Sequence, residues 1–186
     1  MSKYPEDKIE LLPPTMQLHV QRVLDGLKAL GFKPVLFDGM RTKAEALKNA
    51  AKGTGRPDSI HMYGPAADII CDEHGWQCRA KRCKFYQTLR KLASAEGFVC
   101  GGDFHSVDEP HIQAVMVFRQ QAFRELPESE RDDAIRDFFE LRALAKLIAA
   151  GDMTKLPRFQ HLYGTKADGV YGPISKTAVR RMLAPF

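Results

Sequence analysis

The stretch that decides the fold of this chain is Ser59-Ile60-His61-Met62-Tyr63-Gly64-Pro65-Ala66-Ala67-Asp68. It places an imidazole and a carboxylate seven residues apart, an odd separation that an unbroken strand would turn to opposite faces. The Gly64-Pro65 pair breaks the strand and removes that objection. A strand that begins at Ala66 then turns Ala66, Asp68 and Ile70 to one face, where an ionised aspartate is costly unless it is paired or metal-bound. We therefore expect a cation at Asp68, the alternative being an aspartate that closes a turn or pairs with an arginine.

A second stretch, Asp108-Glu109-Pro110-His111, adds another imidazole and two more acids. Because a proline disfavours the helical conformation in the residue before it, Glu109 is expected to be extended. His111, Gln113 and Val115 then share one face of a strand. A lone histidine there would more often be a core residue, but its combination with the first stretch favours a metal ligand.

Together the two stretches predict a metal centre. Two histidines and one carboxylate are a natural ligand set for a catalytic zinc ion, with the fourth position left to water. We expect Zn²⁺ to bind His61, Asp68 and His111. A carboxylate that is not a ligand can act as general base on that water, and Asp108 and Glu109 are both candidates. The residues thus predict a zinc hydrolase.

Arg41 lies in Asp38-Gly39-Met40-Arg41-Thr42, at a turn just after a predicted strand. A guanidinium in that position could bind a substrate carboxylate or a developing oxyanion. The alternative is a surface arginine at the start of a helix, and the residues alone do not decide between the two.

The composition indicates an ordinary globular protein. Its 186 residues can bury one core with a small appendage, and 44% of them are hydrophobic and 27% charged. No stretch approaches the roughly 20 apolar residues of a membrane helix, so no stable membrane insertion is expected. The net charge of +5 favours polyanions such as nucleic acid, anionic lipid or acidic cell-wall polymer. Basic and aromatic residues do not interleave, and we expect no nucleic-acid binding.

The four cysteines are too few and too irregularly spaced for a disulfide-dense scaffold. Cys71, Cys78 and Cys83, with His74 between them, could form a second metal site. Their separations of seven and five residues, however, miss the short cysteine pairs typical of structural zinc. Free thiols are therefore the expectation, and a disulfide is the other alternative.

Periodicity and capping signals predict helices over 15–30, 42–51, 81–96 and 127–150, and short strands over 33–38, 66–70, 98–100 and 111–118. Thr42 and Glu45 predict a capping box at the second helix. This mixture predicts an α+β fold, in which a small antiparallel sheet carries the zinc site between flanking helices and a small helical segment follows.

The pattern Ser-x-His-x-x-Gly-x-Ala-x-Asp of residues 59–68, with the downstream Asp-x-Pro-His of residues 108–111, resembles the LAS-type zinc peptidases. These include the D-Ala-D-Ala metallopeptidases, the L-alanyl-D-glutamate peptidases of phage endolysins, the lysostaphin-type enzymes and the hedgehog signalling domain. Gly101-Gly102-Asp103-Phe104 is similar to the Gly-Gly-Asp-Trp of the endolysin branch, with Phe where Trp is usual. The resemblance covers roughly residues 34–117.

This resemblance implies roles for individual residues. It implies zinc on the three residues predicted above, Asp108 as the base and Arg41 as a residue that orients the substrate. Ser59, Gln113 and His105 are expected to support the ligands or contact the substrate.

The implied activity is hydrolysis of a peptide bond in peptidoglycan stem peptides. Asp108, with Pro110 before His111, favours an L-alanyl-D-glutamate endopeptidase, because the carboxypeptidase branch usually has Glu-x-x-His there, often with Trp before the His. The alternatives are a D-Ala-D-Ala carboxypeptidase and a non-catalytic, zinc-containing wall-binding module. The polar N-terminus suits a phage endolysin that is made in the host cytoplasm without a signal peptide and reaches the wall through a holin. We expect the protein to be a monomer.

The C-terminal stretch Asp168-Gly169-Val170-Tyr171-Gly172-Pro173 resembles the Asp-Gly-x-Tyr/Phe-Gly-Pro core of helical peptidoglycan-binding modules. It is shorter than a complete module, and the alternative is a Gly-rich turn that docks a last helix. We therefore predict a zinc peptidase domain over 1–122, a long helix over 123–152 that packs on it or links from it, and a truncated wall-binding-like segment over 153–186.

Overall fold

A four-stranded antiparallel sheet forms the centre of the fold in the computed structural model, which describes residues 2–78 and 82–184. The strands are β1 (Pro34–Asp38), β2 (Ala66–Cys71), β3 (Val99–Cys100) and β4 (His111–Gln113), in the spatial order β1-β2-β4-β3. The predicted α+β class with a small antiparallel sheet is confirmed.

The register of the sheet brings three chemically important residues into one row. Asp68 of β2 pairs with His111 of β4 on one side and with Asp38 of β1 on the other. The pairing of β1 shifts between Leu36 and Asp38, close to this row. All residues of β2 are buried, as expected for a central strand covered on both faces.

Helices cover the sheet and extend the core beyond it. Those of the described residues are α1 (Pro14–Ala29), α2 (Lys43–Ala51), α3 (Phe85–Glu96), α4 (Gln120–Arg124), α5 (Glu128–Ala149), α6 (Leu156–Tyr163) and α7 (Pro173–Leu183). Helix α1 contacts α3, α5 and β1, and its buried residues are Met16, Val20, Val23, Leu24 and Leu27. The capping box of Thr42 and Glu45 is present at α2. None of the described helices combines the length and apolarity needed to cross a membrane.

Two predicted elements are shorter than expected, and one helix was not predicted. The strand predicted over 111–118 ends at Gln113: the Ala114 N–H still donates to the Pro65 carbonyl, but Pro65 has no N–H to return the bond, and a 3-10 turn follows at Val117–Arg119. The helix predicted from Lys81, which lies outside the described residues, begins at Phe85. A turn precedes it, in which Arg82 has a φ of +52°. The short helix α4 carried too few residues to give a periodic signal.

The C-terminal helices share the core of the sheet. Helices α6 and α7 pack against α5, and Phe159, Val179 and Met182 are buried in the same apolar cluster as the sheet residues. Buried Gln160 organises the Gly-rich turn: its Nε2 donates to Asp168 Oδ1 at 3.0 Å, and its Oε1 accepts from the Gly169 N–H at 2.9 Å. The division into three parts, and wall binding by the last of them, stay predictions.

Phe159→Ala is expected to destabilise the whole chain, since it removes a fully buried ring from α6. Loss of such a side chain lowers the free energy of unfolding by about 3–5 kcal/mol. Chemical denaturation followed by far-UV circular dichroism measures this. Ile174→Ala, at a residue that is 72% exposed, should change stability by less than about 0.5 kcal/mol. An unaltered main transition in Phe159→Ala would show that the tail unfolds separately.

Candidate metal centre

His61, Asp68 and His111 meet in one buried cluster. Their candidate ligand atoms all lie within 4.8 Å of one another. Asp68 Oδ1 lies 3.0 Å from His111 Nδ1 and 3.4 Å from His61 Nε2, and the two imidazole nitrogens are 3.2 Å apart. The structure therefore brings together the three residues that the two motifs predicted as zinc ligands.

The local fold around Gly64 explains how His61 reaches the cluster. His61 lies in a 3-10 turn, Ile60–Tyr63, that precedes strand β2. Gly64 ends the turn with a φ of +93°, and a Cβ added there would lie 2.5 Å from Pro13 Cγ. The predicted break at Gly64-Pro65 is thus present, and it needs glycine both for its backbone angle and for space.

Hydrogen bonds on the outer side of each ring orient the two histidines. The His61 Nδ1 lies 3.0 Å from the Gly39 carbonyl, and the His111 Nε2 lies 2.9 Å from Gln113 Oε1. If these nitrogens carry the protons, His61 Nε2 and His111 Nδ1 face Asp68 with free lone pairs, as metal-binding histidines do. Gln113 is itself held, because its Nε2 donates to the Val115 carbonyl at 2.6 Å.

The charges of the cluster depend on one another. Burial alone would raise the pKa of Asp68, but the adjacent His61 and His111 outweigh burial and hold it well below the usual range. Burial likewise disfavours the charged form of His111, yet hydrogen bonding to Asp68 and its negative charge raise the pKa of this imidazole. A buried carboxylate that is stabilised by positive charge, with two oriented imidazoles beside it, fits a divalent cation.

Arg41 connects this cluster to β1. Its Nε donates to Asp38 Oδ2 at 3.1 Å, its Nη2 forms an ion pair with the same carboxylate, and its Nη1 donates to Ser59 Oγ at 2.9 Å. The Nη2 atom also lies 4.0 Å from Asp68 Oδ2. Asp38 was not predicted as a site residue, although its position at a strand end three residues before Arg41 was a usable signal.

The loop before β4 places Asp108 beside the ligands through a close backbone approach. The Asp108 N–H donates to the Gly101 carbonyl at 2.9 Å, and the Asp108 carbonyl accepts from the His111 N–H at 3.1 Å. A Cβ added at Gly101 would lie only 2.3 Å from that Asp108 carbonyl oxygen. This contact explains physically why a glycine opens the Gly-Gly-Asp-Phe stretch. The stretch also anchors helix α3, since Asp103 forms an ion pair with Arg90.

Two acids and one histidine of this loop differ in their surroundings. The Asp108 side chain borders solvent, but desolvation by the adjacent protein and the charge of Asp68 raise its pKa. The charged groups that act on Asp108 also include His111, His61 and Arg41, and both Asp108 and Glu109 act on the hydroxyl of Tyr86. The closeness of Asp108 to the two histidines supports it as the candidate base. His105 is exposed on the loop, and its substrate contact stays a prediction.

Two cavities lie near the site or behind it. A polar cavity of about 360 Å³ borders Asp38 and Arg41, and Lys48 and Lys52 also line it. An apolar cavity of about 240 Å³ lies between the chain that follows β4 and helix α5. Of these two cavities, the polar one borders residues that lie next to the candidate ligands, namely Asp38 and Arg41.

Comparison with known proteins gives one family match. No curated protein matches the chain. Residues 52–114, about a third of the chain, match the family described as D-alanyl-D-alanine carboxypeptidase. The matched segment contains the three candidate ligands and Asp108, and it leaves out Arg41 and the C-terminal helices. The resemblance expected from the motifs is thus confirmed over residues 52–114, which match a peptidase family of the D-alanyl-D-alanine carboxypeptidase type.

Proposed function

We propose that this protein is a zinc-dependent peptidoglycan hydrolase that cleaves a peptide bond in the stem peptides, as an L-alanyl-D-glutamate endopeptidase. The observation that carries the proposal is the convergence of His61, Asp68 and His111, with Asp108 at the rim, inside the segment that matches a peptidase family. The Asp-x-Pro-His form of the last motif supports the endopeptidase branch. In the biological setting that we propose, the protein is a phage endolysin that reaches the wall after holin action.

Two imidazoles and a carboxylate suit zinc, and the hydrogen bonds of the imidazoles determine which ring nitrogen would bind it. His61 would bind through Nε2, His111 through Nδ1 and Asp68 through its carboxylate, because the opposite ring nitrogens contact Gly39 and Gln113. Zinc bound there supplies a Lewis acid that lowers the pKa of water and polarises a carbonyl group. The rigid strands β2 and β4 hold two of the three ligands before substrate arrives, which is the arrangement that makes electrostatic catalysis effective.

Asp108 is proposed to move the proton. Its carboxylate borders solvent beside the ligand cluster, where it can take a proton from the attacking water and return it to the leaving amine. Desolvation raises the pKa of this carboxyl, and a raised pKa brings a carboxylate base closer to the working pH.

Arg41 is proposed first as a positioning residue. Its contacts to Asp38 and Ser59 fix the end of β1 against the turn that carries His61. The predicted second role, binding of a substrate carboxylate or a developing oxyanion, is supported by the polar cavity that Arg41 borders. Basic Lys48 and Lys52 and acidic Glu6, Asp7 and Glu45 also line that cavity, so it offers groups of both charges to a polar peptide.

Two other functions compete with this proposal. A D-Ala-D-Ala carboxypeptidase would use the same residues, and the description of the matching family favours it. A non-catalytic, zinc-containing wall-binding module would need no general base. The position of Asp108 beside the ligands argues against that module.

The deciding experiment is mass spectrometry of the fragments that the protein releases from purified peptidoglycan. We expect new L-Ala and D-Glu ends from the wild-type protein, and none from chelator-treated protein or from His61→Ala. Release of free D-Ala alone would establish the carboxypeptidase. No cleavage of any wall type by protein that retains zinc would leave the binding module.

Asp108→Ala is expected to retain zinc but to lose turnover by about 10²–10⁴-fold, the usual contribution of a positioned acid-base group. The rate of fragment release and the zinc content of the same sample measure the two effects separately. The matched control is Glu109→Ala, which removes the neighbouring carboxylate and should keep most of the activity. The reverse result would assign the base to Glu109.

Gln113→Leu should weaken zinc binding by about 10–100-fold, because it removes the acceptor that holds His111 Nε2. Competition with a chromogenic chelator gives the zinc affinity. Gln121→Leu is the matched control, since Gln121 is exposed and its side chain donates a hydrogen bond to Glu125, just after α4. Equal affinities in the two variants would show that Gln113 does not orient His111.

A further inference from the structure

A second cluster of potential ligands lies at the far end of β2. Cys71, His74, Cys78 and Cys83 each offer one ligand atom, and these four atoms all lie within 4.8 Å of one another. Cys71 is the last residue of β2, and Cys83 lies two residues before α3. The metal ligands proposed above are not part of this cluster.

Including the histidine changes the interpretation of the spacing. The cysteines alone are seven and five residues apart, but with His74 the gaps contain two, three and four residues. Gaps of this length are typical of ligands in structural zinc sites. The separations between the cysteines alone do not reveal this spacing.

Backbone contacts hold the four residues in place. The Gly75 N–H donates to the Cys71 carbonyl at 2.7 Å, and the Cys83 N–H donates to the Cys78 carbonyl at 2.9 Å. The hydroxyl of Tyr86 donates to the Gly75 carbonyl at 2.8 Å, which ties the loop to α3. These contacts fix the backbone next to Cys71, Cys78 and Cys83, whose sulfur atoms meet near His74.

The side chains in the cluster have the polarity and contacts of metal ligands. Cys71 and Cys78 are buried, and His74 Nδ1 lies 3.9 Å from Cys71 Sγ. The Phe85 N–H lies 3.4 Å from Cys83 Sγ, and such a donor stabilises a thiolate. The fourth cysteine, Cys100, lies apart, with its Sγ 3.5 Å from Ser94 Oγ.

A disulfide explains this arrangement less well. All four cysteines are free, and pairing two of the three clustered sulfurs would leave the third without a role. It would also leave the position of His74 unexplained. Three thiolates and one imidazole complete a tetrahedral Cys₃His set, which selects zinc over hard cations such as Mg²⁺ or Ca²⁺.

We propose that Cys71, His74, Cys78 and Cys83 bind a second zinc ion, which closes the loop between β2 and α3. Each thiol that binds the ion releases its proton to solvent, so the bound ligands are thiolates. With four protein ligands this site has no position for water, and its role is structural. The proposal depends on none of the residues that carry the proposed peptidase activity.

Metal content tests the proposal directly. Wild-type protein, purified with reductant and dialysed against zinc, should contain two zinc ions per chain, one for each ligand group. Cys78→Ser and His61→Ala should each contain one, through loss of different sites. Cys100→Ser is the matched control, because it removes a buried cysteine outside the cluster, and it should retain both ions.

Cobalt substitution shows which ligands hold each ion. A sulfur-to-cobalt charge-transfer band requires thiolate ligands, so the His/Asp/His centre cannot produce it. We expect the band in wild-type, His61→Ala and Cys100→Ser, and its loss in Cys78→Ser. If Cys78→Ser does not fold, His61→Ala decides alone, since one retained ion with the thiolate band supports the site.

Two results would overturn the proposal. One is wild-type protein with a single zinc ion and no thiolate band after cobalt loading. The other is a disulfide between two of the clustered cysteines in the reduced, zinc-dialysed protein. Neither result depends on peptidoglycan cleavage, so failure of the second site and failure of the peptidase proposal are distinguishable.

Discussion

The buried negative charge of Asp68 is the constraint on which the rest of the site depends. Its carboxylate lies in the middle of the row of Asp38, Asp68 and His111, where water cannot stabilise it. An ionised group in that position requires positive charge within a few ångströms. The imidazoles and the guanidinium of Arg41 surround it, and the close backbone contacts at Gly64 and Gly101 let the chain bring them there.

Local signals were sufficient for most of the fold. Proline and glycine mark the ends of α1 and the start of β2, and the pair of Thr42 and Glu45 marks α2, so these elements follow from short stretches of chain. The three candidate ligands could also be predicted, because an aspartate in an apolar strand and a histidine on a strand face are unusual unless they share a function. The convergence of all three in the fold agrees with that interpretation.

What could not be predicted depends on contacts between distant parts of the chain. The end of β4 at Gln113 follows from the position of Pro65, which lacks an N–H, opposite Ala114, and the ion pair of Asp38 with Arg41 depends on a strand end that meets a turn. The cysteine cluster needs a turn in which Arg82, a residue without preference for positive φ, has a φ of +52°. Hydrophobic periodicity does not predict such a turn. The spacing of the four ligands, with His74 included, does indicate the cluster.

Strand β2 connects the two proposed metal sites. Asp68 and Cys71 are three residues apart on it, and an odd separation directs their side chains to opposite faces of the sheet. An ion held by Cys71 would fix the end of the strand from the face opposite to Asp68. It would thereby restrain the register that pairs Asp68 with His111 without occupying space that a substrate needs. The two ligand sets also differ in chemistry. A closed, thiolate-rich set is typical of a structural zinc site, whereas two histidines and a carboxylate leave a position open for water.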